Sequence, residues 1–161
     1  MRRVTEELRR SDEDALPALR VATGADADAV ARLVTQLGYP TDADAMSRRL
    51  AAIEAVESRR TFVAELDGQV VGLAGAEHYP SYAHDGRPAR LMAVVVDRAW
   101  RGRGIGRRLV RHAEEWLRAA GAIRVDLGSR LDRVEAHAFW ERLGYVPTGQ
   151  RFARGLRREG E

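Results

Sequence analysis

The sequence predicts a single α/β domain whose mixed sheet carries helices on both faces, and three observations lead there. Its 161 residues, 45% hydrophobic and 32% charged, are the length and composition of one soluble domain. Stretches with apolar residues three and four apart alternate with β-branched runs in the order β, α, α, a hairpin, then β, α, β, α, β. One run, Arg90 to Asp97, has Leu-Met-Ala-Val-Val-Val between its charged ends with no polar alternation. That is the pattern of a strand covered on both faces, and it places this strand centrally.

Residues 1–17 are dominated by Arg, Glu and Asp and read as a frayed or solvated extension, leaving 18–161 as the folded domain. Leu19 to Thr23 is a short strand. Thr23 with Asp26 and Asp28 then signals a helix start, because short oxygen-bearing side chains satisfy the first free N–H groups and acidic residues suit the positive helix end. Val30, Leu33, Val34 and Leu37 form its apolar stripe, and Gly38-Tyr39-Pro40 ends it. Thr41 and Asp42 open a second helix through Met46, Leu50, Ile53 and Val56. Thr61–Leu66 and Gln69–Ala76 make a hairpin, since Asp67-Gly68 between them readily takes the positive φ angles of a tight turn. A polar loop, Tyr79 to Pro88, leads to the central strand. The helix after it buries Leu109, Val110, Ala113, Trp116 and Leu117 and stops at Gly121. Ile123–Leu127 is the next strand. Val134 to Leu143 is a helix burying Ala138 and Phe139, capped by Gly144, and Tyr145-Val146 with Gln150 to Leu156 reads as terminal strand.

Composition removes whole classes of function. There is no cysteine, and all 27 residues of the Lys+Arg count are arginine. Disulfides, thiolate metal sites, cysteine nucleophiles, Schiff-base lysines and the P-loop lysine are therefore excluded. No His, Asp and Glu set has the spacing of a metal site. No apolar run approaches the roughly 18 residues that cross a bilayer, and Met1–Glu7 lacks the apolar core of a signal peptide, which predicts a cytoplasmic location. The net charge of +3 suits an anionic ligand, but arginines and acids are interspersed, so nucleic acid is not expected.

Gly102, Gly104 and Gly106 lie between the central strand and a helix, with Arg101, Arg103, Arg107 and Arg108 among and just after them. Backbone without side chains lets several N–H groups converge on one anion, and the helix N-terminus adds unpaired donors. The plainer alternative is a tight strand-to-helix turn beside solvated arginines. A P-loop would need Gly-Lys-Ser/Thr, which is missing, and a dinucleotide fingerprint would need glycine at Arg107. The remaining pattern, Arg/Gln-x-x-Gly-x-Gly/Ala, is filled by Arg101, Gly104 and Gly106, after Val94-Val95-Val96-Asp97 and before Arg107-Arg108-Leu109. It resembles the acetyl-CoA-binding motif of the GNAT N-acetyltransferase superfamily. Glu135-Ala136-His137-Ala138-Phe139-Trp140-Glu141-Arg142-Leu143-Gly144-Tyr145 is similar to the family's C-terminal helix. The two stand in family order, and the resemblance spans about Leu19 to Leu156.

The resemblance implies a mostly antiparallel central sheet, acetyl-CoA as co-substrate, and acetyl transfer by direct attack of a primary amine in a ternary complex, with a small molecule as acceptor. Protein N-terminal or lysine acetylation, or a catalytically weak acyl-CoA-binding regulatory module, are the alternatives. It further implies that Arg101, Gly102, Arg103, Gly104, Ile105, Gly106 and Arg107 hold the pyrophosphate. Val94, Val95 and Val96 would pair with the pantetheine arm, and a backbone N–H near Ala93 or Val94 would polarise the thioester carbonyl. Arg133, where many members carry a cofactor-contacting Asn, and Phe139 complete that set. The family's tyrosine acid position is occupied by Trp140, whose indole N–H donates a hydrogen bond but cannot release a proton near neutral pH. No metal is required.

A general base must take the proton of the attacking amine, and Glu77, His84 and Asp126, with His78 and Asp85, are the candidates. Solvated loop side chains, or for Asp126 an ion pair with a nearby arginine, are the plainer readings. By the same resemblance, the acceptor is expected around Gln36–Met46 and Tyr79–Arg87, where Tyr39, Tyr79 and Tyr82 are available to line a pocket. The expected partners are acetyl-CoA and an amine, with neither nucleic acid nor membrane, and by family habit a homodimer.

Overall fold

The computed structural model describes residues 15–156, so most of the extension expected at 1–17 lies outside the described residues. The chain forms two units, one ending at Leu127 and one beginning at Gly128. The first holds five strands in the spatial order β1-β2-β3-β4-β5. These are β1 (Ala18–Val21), β2 (Arg59–Leu66), β3 (Gln69–His78), β4 (Arg87–Val96) and β5 (Ala122–Leu127). Pairing is antiparallel from β1 through β4 and parallel between β4 and β5. The sheet is thus mixed and mostly antiparallel. Helices α1 (Ala27–Gln36), α2 (Ala43–Glu54) and α3 (Ile105–Ala119) belong to this unit, and α4 (Val134–Arg142) to the second.

The pleat sorts the core. Val63 and Leu73 face each other across β2 and β3 and join Val30, Leu33, Met46 and Leu50 of α1 and α2. The next residue along, Phe62, points to the opposite face. There its ring meets His112 and Trp116 of α3 edge-on at 4.9 and 6.0 Å. Helices therefore cover both faces. Asp67 (φ 51°) and Gly68 (φ 75°) take the two positive angles expected of the hairpin turn. At Gly72 the reason for glycine is distance: a Cβ there would stand 2.9 Å from Leu109 Cδ1 of α3. On β1, Arg20 reaches both Asp26 (Nη1 to Oδ2, 2.8 Å) and Glu65 (Nη2 to Oε2, 2.6 Å). The Arg20 guanidinium holds the Asp26 carboxyl below its usual value, and Arg20 is itself pushed further up by the two carboxylates.

One feature of register creates the site. β3 pairs with β4 as far as Val96, whereas β5 pairs with β4 only from Arg87 to Leu91. Among the described residues, the second half of β4 therefore has no neighbour strand on its β5 side. The Asp97 N–H donates to Val71 O at 2.8 Å, which marks a bonded pair across β3 and β4. By the alternation of an antiparallel ladder, the backbone groups of Val94 and Val96 then point away from β3 into the gap.

Five expectations are corrected. β4 is not covered on both faces throughout: Leu91 and Val95 are buried, but Met92, Ala93, Val94 and Val96 are half-buried, where pairing with β5 has ceased. The strand stands fourth of five rather than at the centre. α2 stops at Glu54, leaving Val56 in the turn beyond. Tyr145-Val146 and Gln150–Leu156 are not strand, and Val146, Phe152 and Leu156 are exposed. Pro147 lacks a ladder donor, and Gly149 and Gly155 raise the entropy cost of extension. In the second unit α4 buries no residue: Ala138 is exposed and Phe139 half-buried. Its stripe is narrow, because Glu135, Glu141 and Arg142 interrupt it.

Candidate active site

From Val96 the chain turns at Asp97, whose Oδ1 accepts from the Ala99 N–H at 2.9 Å. A single 3₁₀ turn, Arg98–Trp100, leads into Arg101–Gly104 and α3. Gly102 and Gly104 both sit at φ 77°, and a Cβ on either would meet no atom within 4 Å. Space is free, so the need for glycine is conformational. Gly104 caps α3, placing the unbonded N–H groups of Ile105, Gly106 and Arg107 at the loop, as every helix start must. A cradle of donors at the end of an unbonded strand edge suits one kind of ligand: an anion, best a pyrophosphate, followed by an extended amide-bearing arm. The residues present fit acetyl-CoA on that ground.

The arginines divide their labour. Arg101 Nε donates to Val96 O at 3.0 Å, so this side chain fastens the loop to the strand rather than reaching outward. The Arg103 guanidinium lies over the Trp100 ring, 4.8 Å from its centre. Arg107 is exposed and Arg108 half-buried. Two contributors escape sequence reasoning. Trp100 gives Arg103 a face to lie on, a cation–π contact that a single aromatic before Arg-x-Arg signals only weakly. Gln36, the last residue of α1, donates from Nε2 to Asp97 Oδ2 (3.3 Å) and accepts the Arg98 N–H at Oε1 (2.9 Å). It ties α1 to the loop across 61 positions of sequence, which no local pattern reveals.

The base candidates are scattered. Glu77 is buried on β3, its Oε2 accepting from Arg59 Nε at 2.8 Å and its Oε1 paired with Arg90 Nε. His78 is buried with Nδ1 3.3 Å from Arg87 Nη1 and its ring 5.5 Å from Trp116. His84 and Asp85 are exposed on the loop before β4, with Tyr79 and Tyr82 exposed on the same loop, and Tyr39 is exposed just beyond α1. Asp126 is half-buried on β5, near the point where β4 and β5 part; its Oδ1 accepts from Arg124 Nε and Nη2 at 2.9 and 2.7 Å. Glu77 and Asp126 share one row: Arg59, Glu77, Arg90 and Asp126 are successive partners across β2, β3, β4 and β5.

In the second unit Arg133 caps α4, and Trp140 sits between Phe139 (ring centres 4.9 Å apart) and Tyr145 (5.3 Å). Tyr145 thus belongs to an aromatic cluster, where the sequence suggested strand. His137 Nε2 is 2.8 Å from Arg130 O. Among the described residues no helix is long and apolar enough to cross a membrane, and no group of three metal-ligating side chains is present.

Comparison with known proteins agrees with this geometry. The profile of the Acetyltransferase (GNAT) family matches residues 27–145. The chain is 33% identical over 136 residues to the aminoglycoside N(6′)-acetyltransferase type 1 of Stenotrophomonas maltophilia, covering 82% of this chain and 88% of that one. It is 32% identical over 152 residues to the aminoalkylphosphonate N-acetyltransferase of Salmonella typhimurium, covering 92% and 99%. In fold it is similar to AAC(6′)-Iy, solved in complex with the bisubstrate analog CoA-S-monomethyl-acetylneamine, with a TM-score of 0.77, 18% identity, and coverage of 89% of this chain and 100% of that chain.

Proposed function

The chain belongs to the GNAT acetyltransferase family and is an N-acetyltransferase, and from that premise we propose that it uses acetyl-CoA to acetylate a primary amine of a small molecule. The observation that carries the reading is the continuity of the open β4 edge with the glycine cradle. Backbone donors of Gly102–Arg107 would hold the pyrophosphate, with Arg103, held on Trp100, and Arg107 adding charge. Val94 and Val96 would bond the pantetheine arm through main-chain groups, as an added strand does. Bound acetyl-CoA supplies an activated acyl thioester. A small molecule is favoured over a protein acceptor because the two relatives named above carry small-molecule amines in their names.

The proton of the amine falls to Asp126. Both oxygens of Glu77 are engaged by arginines, and His84 lies on an exposed loop. Asp126 binds Arg124 through Oδ1 alone, which leaves Oδ2 for the amine or for a water between them. The family motif implies cofactor contacts for the positions of Arg133 and Phe139, and the tyrosine-acid position for Trp140. The Trp140 indole N–H donates without protonating, so departure of the thiolate relies on its own weak basicity.

The test is release of free CoA from acetyl-CoA, followed with a thiol reagent against a panel of amines. The chain has no cysteine, so the protein adds no signal. Amine-dependent release is expected, and Asp126→Asn should lower kcat by about 10²-fold, the usual worth of a positioned base. Failure to bind acetyl-CoA at all would overturn the reading.

A further inference from the structure

The row that crosses the sheet on the face of α1 and α2 holds more charge than the fold needs. Glu77 is nine-tenths buried, its side chain 9% exposed, yet it is shared by two arginines from the strands on either side. Arg59 and Arg90 each spend their Nε–H on this one carboxylate. Their side chains are 38% and 54% exposed, and their Nη groups have no hydrogen-bond partner among the described residues. One arginine would neutralise a buried carboxylate; the second leaves the trio with a surplus positive charge. What the arrangement achieves is orientation, because each planar guanidinium is held through Nε to Glu77, which leaves it further N–H donors in a fixed plane. Two fixed forks suit the oxygens of a phosphonate, phosphate or carboxylate.

Position links this receptor to the reaction. Arg90 lies two residues before Met92, where β4 loses its β5 neighbour, and opposite Asp126. At about 3.3 Å per residue, Arg90 is within roughly 13 Å of Val94 along the strand. Because Asp126 stands directly opposite Arg90, a short zwitterion with its anion on Arg59 and Arg90 would have its ammonium beside the Asp126 carboxylate, and the reach of the arginine side chain covers part of the interval to Val94. We propose that Arg59 and Arg90, held by Glu77, recognise an anionic group on the acceptor, so that the substrate class is small amines bearing a phosphonate, phosphate or carboxylate. This rests on the acetyltransferase reading and goes beyond it by assigning the acceptor's charge.

The experiment is calorimetric titration of the full chain, alone and saturated with CoA, with 2-aminoethylphosphonate and with ethanolamine, its counterpart carrying a hydroxyl in place of the phosphonate. The phosphonate should bind at least 10-fold more tightly, with a preference that shrinks as salt rises. Arg90→Gln and Arg59→Gln should each cut that preference by about 10-fold, and Arg90→Lys should restore part of it. Equal binding of the two amines by the wild-type chain, or tighter binding of a polycation such as kanamycin, would overturn the proposal. Because this comparison uses the unaltered protein, poor folding of a variant cannot hide the answer. The CoA titration separates the two readings: no CoA binding sinks the acetyl-CoA assignment, while CoA binding with equal amine affinities sinks only the anion subsite.

Discussion

At Asp26 a single carboxylate joins Arg20, the Thr23 N–H and the start of α1, with Arg20 Nη1 at 2.8 Å and Thr23 N at 2.8 Å. Its side chain is 8% exposed, so replacing it leaves polar partners poorly solvated. Asp26→Asn is expected to cost about 2 kcal/mol, read from urea unfolding at pH 7. Because the Arg20 hydrogen bond lowers the folded-state pKa of Asp26, its contribution is complete above the unfolded value near 4 and fades as pH falls through the folded one. The wild-type advantage over the variant should therefore shrink as pH falls below about 4, and an advantage that does not shrink there would refute this account. Residues of this kind were partly visible beforehand. Thr23 and Asp26 announce a helix start by spacing alone, and Gly102 and Gly104 announce a loop that only glycine enters easily. Arg20, Gln36 and the Arg59–Glu77–Arg90 trio were not visible, since strand pairing brings Glu65 to Arg20 and Glu77 to both Arg59 and Arg90, and the end of α1 meets the loop at Asp97 across 61 positions.

Among elements, β4 shows what periodicity can and cannot tell. Its apolar run implies a central strand covered on both faces, whereas β4 stands fourth of five with its second half only half-buried, because periodicity is silent on which edge is bonded over which length. The register shows Leu91 as the last residue paired with β5. Hydrogen exchange should expose the consequence. The amides of Val94 and Val96 should exchange quickly in the free protein and slow at least 10-fold when acetyl-CoA is added, while Val95 stays slow throughout. Equal exchange of Val94 and Val95 without ligand would contradict the assigned ladder. The hairpin was legible because Asp67-Gly68 is a local device, and so was α3, whose apolar stripe runs from Ile105 to Leu117. The segment after Gly144 was misread: Val146, Phe152 and Leu156 have strand-like chemistry, but propensity gives no strand without a partner ladder.

For the whole molecule, sheet order and helix placement follow from the order of elements, since the hairpin-linked strands are neighbours and the helix-linked pair β4 and β5 is parallel. What sequence could not show is that this parallel pair separates partway. A ligand that binds only the folded chain raises its stability by RT ln(1 + [L]/Kd), about 2.7 kcal/mol at a hundredfold excess over Kd. For a chain of this size that corresponds to roughly 5–10 °C in Tm. Acetyl-CoA should produce such a rise in a thermal scan, and a rise below about 1 °C at that excess would argue against strand-like binding. The gap between β4 and β5 then has a colloidal side. A strand edge without a neighbour strand invites self-association, so whatever fills it also acts as a solubiliser. Without an occupant, association of the chain with copies of itself should rise with concentration, and light scattering with and without acetyl-CoA reads that difference.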